Sequence, residues 1–200
     1  MPRVVLATRN TGKISELQRI LAAYDVDLVG VDAFPDLEDV AETGSTFADN
    51  ALLKARTVSA ATGLLAVADD SGLTVDALNG MPGILSARWS GRHGDDEANL
   101  DLVLAQIADL PDERRGAAFV CAAAAVAPDR REIVVEGRIR GTLLRERRGR
   151  NGFGYDPIFV PVGETRTTAE MSADEKDAIS HRGMAFRALA KQLPELFAQA

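Results

Sequence analysis

The 200-residue chain has one cysteine, no surplus of basic residues and no long apolar run, and each scarcity closes off a class of protein. A single thiol excludes a disulfide within the chain, and Cys121, set in the apolar run 119–127, reads as buried and inert. No apolar stretch approaches the roughly 20 residues that span a bilayer, so no membrane partner is expected. A strand-like run starts almost at the first residue, which leaves no room for a signal peptide and points to the cytoplasm. With 23 Lys and Arg against 30 Asp and Glu, the net charge of −7 argues against nucleic acid as a partner, because phosphate neutralisation needs a basic face. A few local cations can still hold a small anion. There is no internal repeat and no low-complexity linker, so residues 1–200 are taken as one domain, any second lobe being built from within the same chain. A hydrophobic share of 46% and a charged share of 26% are those of an ordinary globular protein.

What is present is an alternation of apolar runs and helix-period segments, the pattern of an α/β protein. Val4-Val5-Leu6-Ala7 reads as a short buried strand, and Ile14, Leu17, Ile20 and Leu21 recur at helical spacing over about residues 13–23. Residues 26–31 return as a strand, and the looser acidic stretch 32–42 follows. A second helix begins near Ser45 or Thr46, with Asp49 three residues after Thr46, and ends at Gly63. Residues 64–68 form the next strand, and Asn79-Gly80-Met81-Pro82-Gly83 is a turn or loop. Leu100, Val103, Leu104 and Ile107 mark a helix that stops before Pro111. The alanine-rich run 117–126 has helical propensity, but its uniform apolarity fits a strand buried on both faces, paired antiparallel with residues 133–139. Residues 182–197 carry apolar residues at helical spacing. The expected architecture is α/β: a mixed, twisted sheet flanked by helices.

Four constellations carry chemistry. Asp69-Asp70-Ser71-Gly72 places two carboxylates and a hydroxyl at the end of an apolar run. Ionised carboxylates at the edge of a core are normally paired, hydrogen-bonded or metal-bound. Successive strand residues face opposite ways, so both acids can serve one ligand only if the chain turns, and Ser71-Gly72 is read as that turn. A metal or proton-transfer site and an ordinary Asp-Ser-Gly turn both fit this stretch. Thr8-Arg9-Asn10-Thr11-Gly12-Lys13, between the first strand and the first helix, has the logic of a phosphate loop without Walker A spacing; an ordinary strand-to-helix loop fits as well. Glu42-Thr43-Gly44 precedes a helix on which Asn50 and Lys54, four apart, share either a binding face or a solvated one. Finally, Phe153 lies between Gly152 and Gly154 ahead of Tyr155 and Asp156, open to stack on a flat ligand or packed as a tight turn, and Ser180-His181-Arg182 follows downstream. Trp89 reads as a packing anchor, His93 as a surface-loop residue, and Arg147-Arg148-Gly149-Arg150 as a solvated loop.

Together with Pro82-Gly83 and Trp89, these segments, in this order over nearly the whole chain, resemble the inosine triphosphate pyrophosphatase (Ham1-like) family, which cleanses nucleotide pools of non-canonical purine nucleotides. The resemblance implies cleavage of inosine, deoxyinosine or xanthosine triphosphate between the α- and β-phosphates, giving monophosphate and pyrophosphate. It implies two lobes with a nucleotide cleft between them, magnesium, one ion per subunit or more, held by Glu42 and Asp70, and a homodimer. Asp70 is the expected catalytic residue, orienting and deprotonating water, with Asp69 shaping the field beside it. The expected substrate contacts are residues 8–13 (Thr8, Arg9, Asn10, Thr11, Gly12 and Lys13), then Lys54 and Ser71, with Arg88 and Lys176 close to the nucleotide. Phe153, Gly154, Tyr155 and Asp156, with His181 and Arg182, are expected to read the base. Bacterial members carry Thr-Gly-Asn where this chain reads Thr8-Arg9-Asn10, a departure that either alters the loop backbone or adds a cation near the phosphates. Two other readings remain open: a house-cleaning hydrolase of related fold acting on other altered nucleotides, and a nucleotide-binding module without turnover.

Overall fold

Short aliphatic runs become strands here because both of their faces are covered. In the computed structural model, which describes residues 2–197, β1 (Arg3–Leu6) pairs in parallel with both β2 (Asp27–Gly30) and β3 (Leu65–Val75). The six-stranded sheet has the order β2-β1-β3-β4-β5-β6, where β4 is Gly116–Val126, β5 Glu132–Leu143 and β6 Phe159–Pro161. β6 runs antiparallel to β5, so the sheet is mixed. Ala127 N–H donates to the Arg131 carbonyl at 2.9 Å, closing the tight connection that makes β4 and β5 a hairpin.

The helices are α1 (Thr11–Leu21), α2 (Phe47–Thr62), α3 (Asp96–Gln106), α4 (Ala173–Ile179) and α5 (His181–Phe197). The predicted start of α2 holds in detail: Thr46 is the N-cap of a capping box with Asp49, and Gly63 ends the helix with φ +68°. β6 and α4 have no counterpart in the sequence reading.

Two compact units divide the chain. The first comprises residues up to 70, 121–137 and from 182 onward. Its strands alternate between two apolar layers: Leu65 and Val67 pack with Leu17 and Ile20 of α1 and Phe186 and Leu189 of α5, while Ala66 and Ala68 pack with Ala51, Ala55 and Val58 of α2. The small residues of β4 follow the same alternation, Cys121, Ala123 and Ala125 in the first layer and Ala122, Ala124 and Val126 in the second. Covered on both faces, the run is a strand in spite of its helical propensity. The second unit, residues 71–120 and 138–181, has one core, in which Leu73, Val103, Ile107, Ile158 and Phe159 are fully buried. Each such side chain is worth about 1.5–3 kcal/mol of burial. Arg115 is buried in this unit and donates to the carbonyls of Ile107, Leu143 and Leu144, tying the end of α3 to the end of β5.

One expectation fails. The chain does not turn at Ser71-Gly72; β3 continues through it to Val75. Gly72 is required there because a Cβ would lie 2.3 Å from the Ser86 hydroxyl oxygen and 2.4 Å from the Gly83 carbonyl. The glycine marks a close backbone approach, not a chain reversal.

Candidate active site

Because β3 is unbroken, Asp69 and Asp70 follow its alternation onto different faces. Asp69 continues the row of Leu65 and Val67, toward α1 and α5. Lys13, in the first turn of α1, places its Nζ 3.0 Å from Asp69 Oδ2, and Arg182, in the first turn of α5, brings Nε to 3.3 Å of the same oxygen. The other arm of Arg182 donates to the buried Glu16 of α1. Burial alone would raise the Asp69 pKa, but Lys13, Arg182 and Lys54 hold it well below the usual carboxylate range. The Arg182 guanidinium is opposed by burial and held charged by Asp69 and Glu16. Cys121 is buried as expected, its Sγ 3.9 Å from Asp69 Oδ2, and burial together with that charge raises its pKa well above the ordinary thiol value.

Asp70 continues the row of Ala66 and Ala68, toward α2. Asn50 Nδ2 donates to Asp70 Oδ2 at 2.9 Å, and Asn50 Oδ1 accepts from Gly44 N–H at 2.8 Å, so both ends of the amide are fixed. The glycine of Glu42-Thr43-Gly44 is needed for this approach, since a Cβ there would sit 2.7 Å from Asn50 Oδ1. One turn along α2, Lys54 Nζ meets Glu42 Oε1 at 2.6 Å. Asn50 and Lys54 therefore share a largely buried face, not a solvated one. Burial, seconded by Glu42, raises the Asp70 pKa against the pull of Lys54 and Lys13. Burial opposes the charge on Lys54, but Asp69, Asp70 and Glu42 together raise its pKa.

The first loop is organised as a helix start. Asn10 caps α1, its side chain accepting from Lys13 N–H at 3.0 Å, and the Thr8 hydroxyl oxygen accepts from Asn10 N–H at 3.2 Å. Amides at such a terminus favour an anion. Arg9 turns to the acidic segment instead: it donates to Asp39 at 2.8 Å, to Asp32 at 3.4 Å and to the Leu37 carbonyl at 2.5 Å.

In the second unit the aromatic loop is built around Asp156. Its buried carboxylate accepts from Phe153 N–H at 2.9 Å, from the Thr168 hydroxyl at 2.8 Å and from Lys176 Nζ at 2.6 Å. Lys176 Nζ also stands 5.0 Å from the centroid of the Phe153 ring, a cation–π distance. Gly152 and Gly154, at φ +76° and +61°, give the loop its curvature. Tyr155 is buried and donates to the Ser86 carbonyl at 2.8 Å, so it is a support for the loop and not an exposed face. Gly154 N–H is bound by Asp96 at 2.9 Å. His181, which sequence alone allows to be a cap or surface residue, is buried and stacks on Phe119 with centroids 4.9 Å apart. Ser71 lies within β3, and Arg88 ends the 3-10 turn Gly83–Arg88.

Glu16 has no place in the sequence reading. Its signal was available: a glutamate three residues after Lys13 and four before Ile20, on the side of α1 that is otherwise apolar. Among the described residues no group of three or more His, Cys, Asp or Glu side chains could hold a metal. Glu42 and Asp70 nevertheless suit magnesium, because both are hard oxygen donors and Asp70, whose ionisation is disfavoured by burial and by Glu42, gains from a divalent cation, an ion that uses one or two carboxylates with phosphate oxygens and water.

The fold and this arrangement define a class: α/β proteins whose central strand sets neighbouring carboxylates against lysines from two helices. The chain belongs to the Ham1 family, whose model matches residues 4–192. It is 65% identical to the dITP/XTP pyrophosphatase of Streptomyces coelicolor, over 98% of this chain and 99% of that protein. The crystal structure of the Mycobacterium abscessus nucleoside-triphosphatase, dITP/XTP pyrophosphatase, is 60% identical with a TM-score of 0.77, covering 96% of this chain and 99% of that one. A Ham1 protein from Coxiella burnetii is 41% identical with a TM-score of 0.88, covering 98% of this chain and 100% of that one.

Proposed function

We propose that this chain hydrolyses non-canonical purine nucleoside triphosphates, dITP, XTP and ITP, to the monophosphate and pyrophosphate. The names of close relatives support the substrate class. The chemistry rests on one observation: of two adjacent buried acids, Asp69 is fixed as an anion by cations, while burial and the neighbouring Glu42 raise the pKa of Asp70. An acid whose proton affinity is raised is suited to take a proton from water.

In this reading water adds its oxygen to phosphorus, Asp70 takes a proton from that water, and the bond to the bridging oxygen between the α- and β-phosphates breaks. Lys13 and Lys54, with the amides of residues 8–12 and the Ser71 hydroxyl, hold the negative phosphates. Arg88 binds the nucleotide alongside them. Magnesium held by Glu42 and Asp70 supplies charge neutralisation of the polyphosphate when bound. Asn50 orients Asp70 while the proton moves.

Phe153 stacks on the purine, and Lys176 and His181 supply donors to the 6-carbonyl of hypoxanthine or xanthine; Arg182, buried and bound to Asp69 and Glu16, acts through Asp69 and not by touching the base. Asp156 acts through Lys176 and the Phe153 amide, holding both in place. Adenine would set its amino group against these donors, a mismatch of about 1–3 kcal/mol, or roughly tenfold to a hundredfold in preference. A homodimer and a cytoplasmic location belong to the same proposal.

The test is product identification: incubate the protein with XTP, dITP and ATP, with and without magnesium. Pyrophosphate and monophosphate from XTP and dITP, with ATP slower by at least tenfold, are expected. Direct release of orthophosphate, or equal hydrolysis of ATP, overturns the reading, and absence of turnover favours a binding module.

A further inference from the structure

Arg9 occupies the loop expected to receive phosphates, yet its guanidinium is committed elsewhere. Nε donates to Asp39, one terminal nitrogen to Asp32 and the other to the Leu37 carbonyl. The partners span a segment that has little else to hold it. Between residues 34 and 46 there is no helix or strand. Only Phe34 and Leu37 of the stretch 34–43 pack against the α2-side core. At its far end stands Glu42, whose carboxylate meets Lys54 and whose charge raises the Asp70 pKa.

We propose that Arg9 is a positioning residue: by fastening the 34–43 segment to the loop between β1 and α1, it holds Glu42 in register with Asp70. Three features of the guanidinium make this possible. It is planar, permanently charged and carries its donors on three separate nitrogens, so it reaches a carbonyl and two carboxylates that stand apart from one another, where lysine has donors on a single nitrogen and glycine has none. A single exposed ion pair contributes little, but one fork engaging Leu37 and Asp39 of an irregular segment, and Asp32 in the 3-10 turn just before it, restricts the segment at several residues together. Arg9 is thus taken out of the phosphate-binding set and given to the acid side of the site. The role of Glu42 in this proposal rests on the hydrolase reading above; the fastening itself does not.

Two measurements on the full-length protein test it, using Arg9→Gln, Asp39→Asn and the double variant. The first is amide hydrogen exchange without metal or nucleotide. Exchange over residues 34–43 is expected to quicken about tenfold in Arg9→Gln and less in Asp39→Asn, with α2 and β3 unchanged. The double variant is expected to match Arg9→Gln, since partners in one network are not additive. The second is the magnesium concentration for half-maximal XTP hydrolysis, expected to rise about tenfold in Arg9→Gln with the nucleotide KM at saturating metal little changed. Unchanged exchange in Arg9→Gln overturns the fastening. A raised nucleotide KM in Arg9→Gln with Asp39→Asn silent also overturns it, by making Arg9 a phosphate ligand. If the parent protein hydrolyses no nucleotide, the functional reading fails while the exchange result still decides the fastening.

Discussion

Asp69 sits against Lys13 and Arg182 on the α1 and α5 side of the sheet, whereas Asp70, one residue on, faces Asn50 and the field of Glu42 and Lys54 on the α2 side. Their pKa values are displaced in opposite directions. Strand alternation alone produces the difference: it delivers one carboxylate to cations that neutralise it and the next to a second acid that does not. The first is therefore a structural anion, and the second is the acid to which the proposed hydrolysis assigns the proton transfer. An acid stabilised as strongly as Asp69 has little proton affinity left to use, and one placed like Asp70 is costly to ionise until a cation arrives.

The comparison can be broken most directly at Asp70. Asp70→Asn is expected to lower XTP turnover by about a thousandfold, within the range for loss of a positioned base, with nucleotide binding still measurable by calorimetry. Turnover within tenfold of the parent would remove Asp70 from the chemistry. Asp69→Asn is expected to act on the fold instead, costing about 3–5 kcal/mol in denaturant unfolding, because Lys13 and Arg182 lose a buried counter-charge. That loss has a pH signature. Asp69 has a folded pKa below its unfolded value of about 3.9, so its contribution is present above pH ~4 and fades as the pH falls toward the folded value. Parent and variant should accordingly converge in stability on acidification, and a gap that widens below pH 4 would contradict the assignment.

Much of this was legible in the residues. The capping box at Thr46, the stop at Gly63 and the buried alanine strand followed from capping chemistry and from uniform apolarity. The grouping of residues 8–13, Glu42, Lys54 and the two acids came from the family resemblance, while the residues alone left Asn50 and Lys54 open between a binding face and a solvated one. What was not legible depended on contacts distant in sequence. Ser71-Gly72 has the composition of a turn, and only the approach of Ser86 explains a glycine in the middle of a strand. Asp156 and Tyr155 lie in the aromatic loop but point their polar atoms inward, to Lys176, Thr168 and the Ser86 carbonyl. Arg9 has the composition of a phosphate ligand, and its partners lie 23 to 30 residues away.

The division between the two acids is tested most directly by thermal unfolding of Asp70→Asn without metal, beside the parent. Asp70 has a raised folded pKa, so its stabilising contribution is complete below the unfolded pKa and is lost as the pH rises through the folded one. A neutral amide at this position, still able to accept from Asn50, should make the metal-free protein more stable at pH 7, by about 1 kcal/mol, with the advantage vanishing below pH ~4. A variant less stable than the parent at pH 7 would mean that Asp70 is a structural anion like its neighbour.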